Sequence, residues 1–135
     1  MTIKPSILII ENNNDHSHQS LAPVLYEAGY MVASARPTAG VARLAIAWPC
    51  DLILIDIDEQ DSKGSKLAAE IHRQSPEMSV LLLARRPVSK NFLLGQDNWI
   101  FDSLVKPIEP IIVLDSVAEL LSHRLHTEDL SSLGW

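Results

Sequence analysis

The stretch DLILIDIDEQDSKG, residues 51–64, runs an apolar segment into Asp56 and then into Asp58, Glu59 and Asp61. Two other charged positions have the same form. Glu11 closes the apolar run SILIIE (6–11), and Lys106 follows IFDSLV (100–105) and precedes Pro107. If these runs are strands of one sheet pointing the same way, two acids and an ammonium meet at one rim. A carboxylate held there can attack phosphorus and form an aspartyl phosphate, provided a divalent cation and a fixed ammonium offset the charge on the transferring oxygens.

The elements that must position these residues can be read from the periodicity. SILIIE (6–11), YMVASA (30–35), DLILID (51–56), SVLLLA (79–84) and IFDSLV (100–105) are short apolar runs of strand length. Between them, apolar residues recur at helical spacing: Leu21, Val24, Leu25 and Ala28, then Val41, Leu44, Ala45 and Trp48, then Leu67, Ala68 and Ile71. A last helix takes Pro110 in its first turn, uses Ile111, Leu114, Val117, Ala118, Leu121 and Leu125 as one face, and ends near Arg124. Strands apolar on both faces and separated by helices require a parallel sheet covered on each side. The expected fold is therefore α/β, a five-stranded parallel sheet of the doubly wound, flavodoxin-like (βα)5 type. Ligands of such a sheet gather outside the carboxyl ends of the strands, where the strand order reverses.

Two segments strain the pattern. Pro23 falls inside the first helix, where an interior proline costs about 3 kcal/mol, so a kink or a late start near Ser20 is expected. PVSKNFLLGQDN (87–98) offers few helical turns before Gly95, so that connection is expected to be short or irregular. The chain of 135 residues is long enough for one self-sufficient domain, placed at 1–125, with 126–135 as a tail or the start of a linker.

Composition narrows the function classes. A formal charge of −6 argues against a nucleic-acid surface, and a single cysteine, Cys50, excludes an internal disulfide and a multi-cysteine zinc site. No leader peptide and no apolar run near a membrane span is evident, so a cytoplasmic domain without a membrane partner is expected. His16 and His18 lack a third ligand, His123 and His126 suit a helix end, and Cys50 has no basic neighbour to activate it. Trp48 and Trp99 are expected at element ends, with Trp99 and Phe92 as a candidate apolar contact patch.

Over residues 6 to about 125 the chain resembles the receiver domain of two-component response regulators. ILII-E-N stands where that family has its paired acids, GYMV follows the first helix, and CDLILIDI carries the phosphoacceptor position. Gly64 lies eight residues after Asp56, and LVKP closes the site. The resemblance implies that Asp56 is the phosphoacceptor and that Lys106 contacts the phosphoryl group. It also implies a metal site at Glu11, Asn12, Asp56 and Asp58, protein partners that include a sensor histidine kinase, and a homodimer face built from the fourth helix, the fifth strand and the fifth helix. No turnover enzyme is expected.

Several positions depart from the family pattern. Asn12 replaces an acid and Glu11 is one methylene longer than the usual aspartate, so Mg²⁺, which demands near-ideal octahedral oxygen geometry, is expected to bind weakly. Ala84 stands where the family has a Thr or Ser hydroxyl, and Ser103 where it has the aromatic that moves on activation. Glu59 and Gln60 replace the usual Met-Pro. Two outcomes are open: Asp58, Glu59 or Asp61 supplies the missing charge and phosphoryl transfer survives, or the switch is degenerate and the domain is a protein-interaction module that is phosphorylated weakly or not at all. Because metal, hydroxyl and aromatic parts are all altered, the second is preferred. A phosphohydrolase of the haloacid-dehalogenase type is a lower-ranked alternative, since DID (56–58) resembles its Asp-x-Asp signature. A flavodoxin-like FMN site is disfavoured because ENNNDHSH (11–18) is too acidic and bulky for a phosphate loop.

Overall fold

The computed structural model describes residues 4–12, 21–57, 63–84 and 101–132, with side chains for 103–122 in the last segment. Chain order is β1 (Ser6–Glu11), α1 (Ala22–Glu27), β2 (Met31–Ala35), α2 (Val41–Ala47), β3 (Leu52–Asp56), α3 (Lys63–Gln74), β4 (Ser79–Ala84), β5 (Phe101–Val105) and α4 (Pro110–Ser132). The five strands form one sheet in the order β2-β1-β3-β4-β5, and every neighbouring pair is parallel. Each strand boundary lies within one residue of the apolar run that announced it. The expected fourth helix, in 87–98, lies outside the described residues, as do the segments holding Asp58, Glu59, Asp61, His16, His18, Phe92 and Trp99.

Alternation along the strands divides the core in two. Leu8, Ile10, Ile53, Ile55, Val80 and Leu82 meet Val41, Ala42 and Ala45 of α2 and Ala68 and Ile71 of α3. Their neighbours Ile7, Ile9, Leu52, Leu54, Leu81 and Leu83 meet Leu25 of α1 and Val113, Val117, Leu120 and Leu121 of α4. Side chains one residue apart point to opposite faces, so strands covered on both sides are apolar throughout rather than alternating. The amino ends of β1 and β3 are tied by Asp51, whose carboxylate accepts the Ser6 backbone N–H at 2.8 Å. Its own N–H donates to the Ser6 carbonyl, also at 2.8 Å.

Two helix faces differ from the spacing-based expectation. In α2 the buried residues are Val41, Ala42 and Ala45, while Leu44 is 57% exposed. Small side chains bring this helix close to the sheet and turn Leu44 outward. In α4 the buried face is Val113, Ser116, Val117, Leu120 and Leu121, so Ile111 and Ala118 are turned to solvent. The expected face holds at Leu114, Val117 and Leu121, which pack in the core, and fails at Ile111 and Ala118, because only one of the three consecutive apolar residues Ile111, Ile112 and Val113 can face the sheet squarely. This helix also continues past Arg124 to Ser132, with no glycine or proline until Gly134 to stop it. Pro23 sits in the first turn of α1, where its missing N–H costs no helical hydrogen bond. Gly29 ends that helix at φ 103°, a left-handed conformation that suits glycine.

Gly64 lies in the first turn of α3, against the sheet. A Cβ there would stand 2.9 Å from Leu82 Cδ1 and 3.8 Å from Ile55 Cγ2. Gly64→Val is therefore expected to overpack this contact and destabilise the domain by about 1–3 kcal/mol, read as a lower urea midpoint. Gly64→Ala should be milder, because the gain in helix propensity, up to about 1 kcal/mol, opposes the displacement of Leu82. A valine variant as stable as the parent would show that α3 does not hold this close approach.

Candidate functional site

The strand order reverses between β1 and β3: the chain leaves β1 toward β2 on one side, then fills β3, β4 and β5 on the other. A crevice therefore opens at the carboxyl ends of these two strands. Glu11 and Asp56 are the last residues of β1 and β3 and are partners in the register. Both are buried, at 2% and 1% exposure. Two carboxylates thus occupy adjacent strand ends, where strands of one sheet lie about 4.8 Å apart.

Lys106 reaches the same place from β5. Its backbone N–H donates to the Ala84 carbonyl at 2.8 Å, which continues the β4–β5 ladder one residue past Val105. Its Nζ forms an ion pair with Asp56 Oδ1, and the two side chains are 15% and 0% exposed. The Lys106–Pro107 peptide is cis. Glu11, Asp56 and Lys106 each lie two residues beyond Ile9, Leu54 and Leu104, residues of the core between the sheet and helices α1 and α4. One period-two pattern thus aligns both packing and chemistry.

The other positions expected to matter are distributed differently. Asn12 directly follows β1 and is half-buried. Ala84, also half-buried, ends β4 one residue beyond Leu83, the register partner of Asp56. Ser103 pairs with Leu82 in the β4–β5 register and is half-buried. By strand parity Ala84 and Ser103 belong to the opposite side of the sheet from Asp56, the side of α2 and α3. Asp58, the remaining candidate ligand, lies outside the described residues. The structure therefore brings together Glu11, Asp56 and Lys106, with Asn12 and Ala84 at the rim.

A divalent cation at this rim would draw on the residues just described together with Asp58, which lies outside them. The described rim offers two carboxylates and one neutral amide, and Asp56 already engages the Lys106 ammonium. Among the described residues no group of three or more His, Cys, Asp or Glu side chains could hold a metal. The Asp-x-Asp alternative fares worse on topology: that signature belongs to the first strand of its family, whereas Asp56 ends the third strand of this chain.

Where β5 runs into α4, a feature emerges that spacing alone missed. Val105, Ile111 and Ile112 are large apolar residues at 44%, 56% and 45% exposure. The signal was present in the run PIEPIIV (107–113), which holds more apolar residues than one helix face can bury.

Comparison with known proteins is consistent over most of the chain. Residues 7–118 match the family described as the response regulator receiver domain. The chain is 23% identical over 129 residues to the transcriptional regulatory protein GlrR of Escherichia coli K12, covering 96% of this chain and 29% of that protein. It thus spans less than a third of that relative's length. Among solved structures, a CheY-like response regulator receiver domain protein from Methanospirillum hungatei JF-1 superposes with a TM-score of 0.73 at 24% identity, over 93% of this chain and 99% of the other. The signal receiver domain of an HD domain-containing protein from Pseudomonas fluorescens Pf-5 gives 0.73 at 23% identity, with coverages of 96% and 95%. At these identities the structural matches speak to fold.

Proposed function

The chain belongs to the response regulator receiver domain family, and from that premise we propose that it is a receiver whose phosphorylation switch is degenerate and whose output is protein interaction. Receiver domains are signalling modules, and Asp56 retains the phosphoacceptor place. The observation that carries the reading is the composition of the rim: Asp56 is buried against Lys106 and beside Glu11, while the next position of β1 offers the amide of Asn12. Mg²⁺ would be held by Glu11, Asn12, Asp56 and Asp58, and weakly, because an amide supplies no charge and Glu11 is longer than the usual acid. Ala84 has no hydroxyl to donate to a phosphoryl group, and Ser103 no ring to carry a rearrangement to the far face.

The partner in this reading is a protein. The exposed Val105, Ile111 and Ile112 support contact through the face of β5 and the last helix, with a second copy of the chain or with another signalling protein. A net charge of −6 disfavours nucleic acid on this domain. No helix among the described residues is long and apolar enough to cross a membrane, which accords with a cytoplasmic receiver. The receiver unit is assigned to residues 1–125, and 126–135, helical to Ser132, to a C-terminal tail or the start of a linker.

A second reading is favoured by one observation, the retained Asp56–Lys106 pair: a conventional receiver phosphorylated by a histidine kinase. Acetyl phosphate with Mg²⁺ separates the two. In the labelling step an Asp56 oxygen attacks phosphorus, the donor's bridging P–O bond breaks and acetate leaves. Intact mass is expected to show substoichiometric modification of the parent and none of Asp56→Asn. Stoichiometric phosphorylation of the parent, lost in Asp56→Asn, would overturn the degenerate reading in favour of the conventional one.

A further inference from the structure

Charge is divided unevenly between the two helical layers that cover the sheet. Helices α2 and α3 pack on one face, α1 and α4 on the other. In a chain of net charge −6, α2 and α3 together hold four bases, Arg43, Lys63, Lys66 and Arg73, against one acid, Glu70. On the opposite face α4 holds four acids, Asp115, Glu119, Glu128 and Asp129, against one base, Arg124. Helix α1 adds Glu27 and no base. Each of these faces also exposes large apolar side chains: Leu44 next to Arg43 on α2, and Ile111 and Ile112 one turn before Asp115 on α4. The segments outside the described residues carry both signs, Asp58, Glu59 and Asp61 in one and Arg85, Arg86 and Lys90 in another, so the complementarity belongs to the helices themselves.

We infer that the acidic, apolar face of α4 in one copy of the chain docks on the basic face of α2 and α3 in a second copy, as a head-to-tail contact. The inference rests on the reading of β5 and the last helix as a contact face and goes beyond it by naming what that face meets. Opposed like charges across an interface are costly, whereas complementary charges steer the encounter and fix its register. Contact of α4 with α4 of a second copy would set Asp115 and Glu119 against acids. Contact with α2 and α3 sets them against Arg43, Lys66 and Arg73 and places Ile111 and Ile112 toward Leu44. The two faces lie on opposite sides of the sheet, so each pairing leaves one face of each kind unoccupied. Assembly is then heterologous and continues past two copies unless the rotation between neighbours closes a ring.

The experiment is sedimentation velocity of the 135-residue chain over a concentration series, with no phosphodonor present. It is run at about 0.1 M and about 1 M NaCl, between which the screening length falls from about 10 Å to about 3 Å. Mean mass is expected to rise with concentration past that of a dimer at low salt and to fall at high salt. Arg43→Glu/Lys66→Glu and Asp115→Lys/Glu119→Lys are each expected to weaken self-association by about tenfold or more, and mixing the two variants should restore it, because each then meets an opposite charge. All four positions are exposed, so folding should be kept. Should a reversed variant not fold, Arg43→Gln/Lys66→Gln or Asp115→Asn/Glu119→Gln takes its place and should weaken association in the same direction. A parent that stays monomeric at low salt overturns the inference, as does a mixture that fails to associate. Association lost in Ile111→Ser but kept in Arg43→Glu/Lys66→Glu also overturns it, while leaving the contact face of the last helix in place. Acetyl phosphate labelling reports separately on Asp56, so failure of the degenerate-switch reading stays distinguishable from failure of this one.

Discussion

Lys106→Met, in the absence of divalent cations, is expected to lower the free energy of unfolding toward the lower end of about 3–5 kcal/mol, the usual cost of removing one partner from a buried ion pair. The lower end applies because Lys106 keeps 15% exposure, whereas the Asp56 side chain has none. Without the ammonium, Asp56 would be a buried carboxylate beside Glu11, its equally buried register partner. The loss should appear as a reduced urea midpoint at unchanged slope. Asp56→Asn alone should cost less, since it also removes the repulsion from Glu11. The double variant Asp56→Asn/Lys106→Met should be more stable than the sum of the single losses allows, because neither charge is then left without its partner. Strict additivity across this cycle would mean that the pair contributes nothing specific to holding the strand ends together.

Leu54→Ala is expected to cost about 2–5 kcal/mol, which combines lost apolar transfer with the cavity left behind. Leu54 is fully buried in β3, the central strand, which pairs with β1 on one side and β4 on the other. It shares its cluster with Ile9, Leu81, Val113 and Val117, so truncation opens space between the sheet and α4. Backbone pairing on both edges restrains β3 from collapsing into that space, which favours the upper half of the range. Tyr26→Ala, at 71% exposure, serves as the contrasting control and should shift stability by no more than about 0.5 kcal/mol. Urea denaturation of both variants checks the contrast, and a Leu54→Ala loss as small as that of Tyr26→Ala would contradict a core built around β3.

A connected test links the two effects. Leu54 lies two residues before Asp56 on the same face of β3, so its packing fixes the direction from which the carboxylate enters the rim. Stability lost at Leu54 should therefore not be recovered by neutralising Asp56, whereas stability lost at Lys106 should be. Core and rim share a strand but not a force: dispersion and burial hold one, opposed charges the other.

Most of the architecture could be read from the chain itself, because burial on both faces of a parallel sheet forces unbroken apolar runs. SILIIE, DLILID and SVLLLA left little choice of element, and the terminal acid or small residue of each marked its rim position. Helical faces were less legible. Leu44 and Ile111 fit a helical repeat yet point to solvent, since α2 buries Val41, Ala42 and Ala45 instead and the first turn of α4 buries Val113. The proline in α1 and the length of α4 follow local rules instead: a first turn tolerates proline, and no glycine or proline lies between Arg124 and Gly134.

The candidate site divides in the same way. Glu11, Asp56 and Lys106 could be nominated from residue type and from their places after apolar runs, because local patterning carries that information. Their meeting could not be deduced without the strand order β2-β1-β3-β4-β5, which makes β1 and β3 neighbours, and the β5 end that carries Lys106 to Asp56. Sequence determines which charges the strands deliver, since alternation and termination act over a few residues. Only the tertiary structure decides which of those charges are buried together, since charges 45 and 50 residues apart along the chain interact only when packing removes the water between them.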